Sequence, residues 1–242
     1  MPSLAFASRN AKEVLRDPIT IITGLGFPLA LLVLLSAIQK NVPEAPFNIQ
    51  TLTPGVAVFG LSFFPLFVSL LVARDRETSF LVRLFTSPLT AADYILGYAL
   101  PFIPMAILQA IITFSVAIAF GFQISWNTLV ALLVMLPAVL LYVGFGLWGG
   151  STMDYKVVGG VMGGLLTNLS AWLSGIWFDV ELVGGWFKQI ADVLPFIHAV
   201  NVTRAASAGD YAAIFPELWW VISYTVAIFG LAIWAFRRQM QG

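Results

Sequence analysis

The chain has 242 residues, of which 60% are hydrophobic and 10% charged, with zero formal net charge; its mean hydropathy is +0.92. Soluble domains carry about 25% charged residues, so this chain lacks the polar surface to cover a water-soluble globule and reads as an integral membrane protein. Balanced charge gives no footprint for nucleic acid, and the absence of cysteine, with one histidine only (His198), excludes disulfides, thiolate metal sites and clustered-histidine metal sites.

In chain order, residues 1–18 hold Arg9, Lys12 and Arg16, with Leu4, Ala11, Val14 and Leu15 as the apolar face of an interfacial helix. The apolar run that follows is too long for a signal-peptide core, and no A-x-A-like site closes it. Asp17-Pro18 forms an N-cap and first helical position. It opens a span over 19–38, about the length that crosses a bilayer core. Thr53-Pro54 repeats that signal before a second span, 55–73. Thr90 to Asp93 forms a capping box before a third, 92–120. Further spans fall at 128–150, 157–178 and 217–236, giving an all-α integral membrane protein with six transmembrane helices. Pro28, Pro65, Pro101, Pro104 and Pro137 lie inside spans and predict kinks.

Six spans place both termini on one side. With the termini cytoplasmic, Arg9, Lys12, Arg16, Arg74, Arg76, Arg83, Lys156, Arg237 and Arg238 lie inside, and only Lys40, Lys188 and Arg204 outside, as the positive-inside rule favours.

The charged stretch Arg74 to Tyr94 joins spans two and three. Phe80, Leu81, Leu84 and Phe85 form an apolar stripe beside Arg76, Glu77 and Arg83. Such a segment either lies in the headgroups or docks a soluble partner. On the opposite side, Trp186, Ile190, Val193 and Leu194 repeat at helical spacing in a segment too short to span, which predicts an outer re-entrant or interfacial segment between spans five and six.

Other chemistries find little support. No lysine follows a glycine, so there is no phosphate-binding G-x-x-x-x-G-K loop. The span middles hold no ionisable group for ion coupling. Ser174 and His198 lack a third orienting partner for hydrolysis. Gly146-x-x-x-Gly150 and Gly160-x-x-x-Gly164 predict close helix approach, between spans four and five or between subunits. Gln109, Thr167, Asn168 and Ser170 are uncharged polar groups at depth, read as interhelical hydrogen-bond glue or as pathway lining.

Four stretches carry a resemblance: R-D-P before the first span, L-T-P-G over 52–55 at the second, R-D-R-E-x-x-x-x-x-R-L-x-x-S-P-L-x-x-x-D-Y-x-x-G-Y over 74–98, and L-P-F-I-H-A-V-N-V-T-R over 194–204. Together with the order of spans, they resemble the membrane permease of type-2 ABC exporters, a class handling drugs, lipids and polysaccharides in bacteria and archaea. The likeness covers nearly the whole chain. It implies a plasma-membrane unit of two permease copies, homodimer or heterodimer, with two cytoplasmic ATPase subunits. ATP and Mg would be bound by the ATPase, expected as a separate polypeptide, and no cofactor by this chain. It implies a cytoplasmic coupling helix over 77–86 with Phe80, Leu84 and Phe85 as anchors and Arg76, Glu77 and Arg83 as charged partners. The turn 151–156 would be a second ATPase contact, and 183–199 an outer re-entrant hairpin. Spans one, two and five would face the two-fold axis, with Thr167, Asn168 and Ser170 near the path. A six-span scaffold that binds a partner through the same loop without transport is the alternative.

Overall fold

The computed structural model describes residues 2–39, 48–78 and 90–241. Phe80, Leu81, Arg83, Leu84 and Phe85, on which much of the expected coupling helix rests, lie outside the described residues.

The described residues are helical. Helix α1 is Pro2–Leu15. Among the described residues, five helices are long and apolar enough to cross a membrane: α2 (Pro18–Gln39), α3 (Ile49–Glu77), α4 (Ala91–Ile118), α5 (Trp126–Thr152) and the last, whose apolar part is Ile214–Gln239. The segment 155–173, here α6, combines Tyr155–Val158, a π-helical stretch Gly159–Leu165 and Leu166–Leu173. It is not among those five. The expected span 157–178 ends early, because the chain turns at Ser174 and Gly175, the latter at φ 68°. Three shorter helices follow, α7 (Val180–Val183), α8 (Gly185–Val193) and α9 (Pro195–Ala208), before α10 (Ile214–Gln241).

Local chemistry explains the boundaries. Asp17 accepts the Ile19 N–H at 3.0 Å, and Thr90 and Asp93 exchange both bonds of the capping box. Thr53 does not cap. Asn48 does, accepting the Gln50 N–H at 2.9 Å, so α3 begins at Ile49 and the Thr53 hydroxyl bonds back to the Ile49 carbonyl at 2.7 Å. Asn48 offers its side-chain carbonyl oxygen five residues before Thr53, and Pro54 then lies inside the helix, where membrane helices tolerate it. The α-helical runs break at 62–63, 100–101 and 135, at or just before Pro65, Pro101 and Pro137. A proline lacks the N–H that would bond four residues back, so each interrupted ladder bends there.

Helix α3 is the centre of the bundle. Its most apolar window is 83% buried, against 28% for α2 and for α10. The close approach is made by Gly146 and Gly150 of α5. A Cβ on Gly146 would stand 2.6 Å from the Val68 Cβ, and one on Gly150 would stand 2.7 Å from the Ser69 carbonyl oxygen. These glycines therefore seat α5 on span two, not on span five as one reading expected. Gly160 and Gly164 of α6 have nothing within 4 Å of a would-be Cβ. Helix α9 packs on α3, α5 and α10, so the segment between α6 and α10 is anchored to the bundle by a helix that runs to Ala208, past the end of the expected hairpin.

Candidate functional site: the charged end of the bundle

Helix α1 buries Phe6, Ala7, Asn10 and Val14, while Leu4 and Leu15 are exposed. The buried face is thus rotated from the predicted Leu4–Ala11–Val14–Leu15 stripe. Two specific contacts set the rotation. The Phe6 ring packs edge-on to Tyr94 and Tyr98, with centroids 6.1 and 4.8 Å away, over Gly97, where any side chain would collide with it. The Asn10 amide donates to the Gly97 carbonyl at 3.0 Å.

This seating delivers Arg9 to Asp75 near the end of α3. Arg9 Nη1 lies 2.5 Å from Asp75 Oδ2 and Nη2 lies 3.1 Å from Oδ1, a two-pronged guanidinium–carboxylate pair. The Tyr98 hydroxyl donates to Oδ2 at 3.0 Å. Asp75 is buried because it continues the inward face of Val68, Leu71 and Val72. Burial pulls the Arg9 pKa down, and Asp75 and Glu13 more than offset it, leaving it above the ordinary value. Glu13 also meets Arg74 at 3.0 Å.

The next two residues point to the turn after α5. Arg76 donates to the carbonyls of Ser151 at 2.7 Å and Met153 at 2.5 Å, and approaches Asp154 at 3.6 Å. It therefore satisfies helix-end carbonyls that no intrahelical N–H can reach. Glu77 accepts the Tyr155 N–H at 3.1 Å, at the opening of α6. The Gln239 amide of α10 also donates to the Ser151 carbonyl. Four consecutive residues, Arg74 to Glu77, thus tie α1, α3, α4, the 151–155 turn and α6 into one plate. Thr90 and Asp93, which open α4, lie on the other side of the undescribed 79–89.

The three polar residues at depth separate. Thr167 is buried and donates to the Ser62 carbonyl of α3 at 2.9 Å; Ser170 is buried 2.5 Å from the Tyr142 hydroxyl of α5. Asn168 is exposed, its amide bonded among the described residues only to the Gly164 carbonyl at 2.8 Å. With Leu165 and Trp172 it forms an outward stripe on α6.

At the far end, Arg204 of α9 donates to the carbonyls of Thr51 at 3.1 Å and Gly175 at 3.0 Å. His198 pairs with Glu217 of α10 through Nδ1, bonds the Asp192 carbonyl through Nε2 at 2.8 Å, and stacks on Trp220. Sequence reasoning missed Arg9–Asp75, Arg204 and His198–Glu217 as partners, because each pair joins distant segments. Only Asp75 left a signal, its place on the apolar face of α3.

This architecture, a broken-helix bundle apolar enough to span a membrane with a charge-tied plate at one end, defines a polytopic helical membrane protein. The profile of the ABC-2 type transporter family matches residues 3–207, and the chain belongs to that family. It is similar to the probable multidrug ABC transporter permease YbhR of Escherichia coli K12, 28% identical over 176 residues, covering 71% of this chain and 48% of that protein. It is also similar to ABC transporter G family member 20 of Dictyostelium discoideum, 22% identical over 206 residues, covering 81% of this chain and 28% of that protein. The chain spans about half the length of the first of these relatives and less of the second.

Proposed function

We propose that the chain is the permease of an ATP-driven exporter, powered by a separate cytoplasmic ATPase, and that it moves a drug, lipid or glycan outward across the plasma membrane. In this reading α6 is the fifth of six crossings, the termini are cytoplasmic, and 77–86 is the coupling helix on which the ATPase docks. The turn at 151–156 is a second contact, and 183–199 closes the outer end. The observation that carries the reading is the plate around Asp75. The segment leading into 79–89 is fixed to α1, α4 and the 151–155 turn through charged bonds and helix-end carbonyls. A displacement applied to the loop is therefore passed to several helices at once instead of being lost in a hinge.

Nucleotide binding shifts the partner toward its closed form by differential affinity, and two permease copies rock apart at the outer end. Arg76 and Glu77 act by bracing the loop, while Phe80, Arg83, Leu84 and Phe85 make the contact itself. The copies pair through the exposed faces of α2 and α6, where Gly160 and Gly164 leave open space. Asn168 faces the path, with Thr167 and Ser170 holding its helix to α3 and α5.

The test is co-purification from the native host of the parent and an Arg83→Glu/Phe85→Asp variant. A roughly equimolar ATPase with the parent, absent from a folded variant, and ATPase activity stimulated by transported compounds are the expected results. A folded parent that recruits no ATPase in detergent or nanodiscs overturns the reading and leaves a scaffold.

A further inference from the structure

Between α1 and the first two long helices lies a cleft of about 840 Å³ with two kinds of wall. Toward the bundle it is apolar, formed by Phe67, Leu70 and Leu71 of α3. Its rim carries Arg9, Lys12, Arg16 and Arg74 against Glu13 and Asp17. Both acids are engaged. Glu13 meets Arg9 and Arg74 at 3.0 Å each, and Asp17 caps α2 through the Ile19 N–H and the Thr20 hydroxyl. Arg9 is further held by Asp75. The side chains of Lys12 and Arg16, four residues apart and exposed, make no hydrogen bond or ion pair with any described residue. The rim therefore holds two uncompensated positive charges directly above an apolar wall.

The position of the cleft selects its occupant. Leu15, Ile19 and Ile22 beside it are 66%, 69% and 67% exposed, so this part of the chain stands where hydrocarbon begins. Basic pockets between helices at that height suit anionic lipid headgroups. A polar protein segment would match the charge but would leave half-buried Leu70 against polar groups, with Phe67 and Leu71 packed in the core behind it. We propose that the cleft binds an anionic phospholipid of the leaflet at that end of the bundle. Its phosphate sits between Lys12 and Arg16, and the upper part of an acyl chain lies against Phe67, Leu70 and Leu71. The ligand would pin α1 to α2 and α3 beside the Asp75 plate. This assignment does not depend on which substrate is moved or on the sidedness of the chain.

The experiment is native mass spectrometry of the full chain with titrated phosphatidylglycerol or phosphatidylcholine, for the parent, Lys12→Gln/Arg16→Gln, and Leu70→Trp. The parent should bind one phosphatidylglycerol in preference to phosphatidylcholine. Removing two headgroup cations should weaken phosphatidylglycerol on the order of thirtyfold, at about fivefold per charge, and abolish the preference. Leu70→Trp, which fills the tail wall and keeps the cations, should also lose binding, and millimolar inorganic phosphate should not displace the lipid. Equal retention of both lipids by parent and charge variant overturns the proposal. So does displacement by inorganic phosphate, which would reveal a simple anion site, or full binding by Leu70→Trp.

Discussion

Arg9 and Asp75 stand 66 positions apart and meet through two hydrogen bonds, with the carboxylate buried and the guanidinium partly open to solvent. Removing one partner of such a pair strands the other. Arg9→Ala should destabilise the folded chain by about 2–3 kcal/mol, less than the roughly 3–5 kcal/mol of a fully buried pair because Arg9 is partly hydrated. Arg9→Ala/Asp75→Asn should recover part of that loss, since no buried charge is left unpaired. Unfolding midpoints of the four members of this double-mutant cycle measure the coupling; strictly additive losses would show that the pair contributes nothing of its own.

Gly146 and Gly160 should respond oppositely to alanine. At Gly146 a methyl meets Val68 and the Pro65 carbonyl, so Gly146→Ala should cost about 1–3 kcal/mol by overpacking. At Gly160 nothing opposes the methyl, so Gly160→Ala should leave the melting temperature of the single chain unchanged or raised. Gly160→Leu should reduce cross-linking between copies if α6 forms the subunit contact, and unaltered cross-linking would remove α6 from it.

Thr167 and Asn168 are neighbours with different duties. Thr167→Val deletes a bond between α6 and α3 and should cost about 0.6–1.7 kcal/mol, the range for hydrogen bonds between membrane helices. Asn168→Ala deletes a bond within one helix and should leave stability unchanged, while altering substrate-stimulated ATPase activity in the assembled transporter. Equal melting losses for both variants would contradict this division.

His198 confers a pH dependence on the end of the bundle opposite the Asp75 plate. Burial pulls its pKa down, and the Glu217 carboxylate and the Asp192 carbonyl outweigh burial, so the imidazole stands above its ordinary value. Among the other nearby charges, Lys188 bridges Glu181 at 3.2 Å and Asp192 at 2.7 Å. A raised folded pKa stabilises fully below the unfolded value of about 6.5 and is lost as pH rises through the folded value. The parent should therefore lose melting temperature as pH climbs from about 6.5, and Glu217→Gln should flatten that slope. An identical slope in the variant would assign the pH dependence to other groups.

Several features were legible in the sequence because they are local. The Asp17-Pro18 start and the Thr90–Asp93 box need only a few adjacent residues, and both formed. Pro65, Pro101 and Pro137 marked breaks for the same reason, whereas Pro28 and Pro104 lie inside continuous α-helical runs. The face of α1 was misread because Phe6 and Asn10 answer to Gly97, Tyr94 and Tyr98, which lie almost ninety residues away and leave no trace in the spacing of α1 itself. Thr53, followed by a proline, carried a cap signal that competed with Asn48 five residues earlier, although asparagine is the stronger cap by type.

Composition by itself marked a membrane protein, and uncharged apolar runs of about 20 residues, far longer than a barrel strand, selected helices as the way to satisfy the backbone in hydrocarbon. It also confined the charges to a few segments and so marked 74–94 as the place to look. Only the tertiary structure decided which charges meet. It turned Arg76 to the 151–153 carbonyls, paired Arg9 with Asp75, and left Lys12 and Arg16 open above an apolar cleft. Sequence periodicity fixes which face of a helix is apolar, but the partner of a buried charge is set by which helix ends packing brings within about 3 Å.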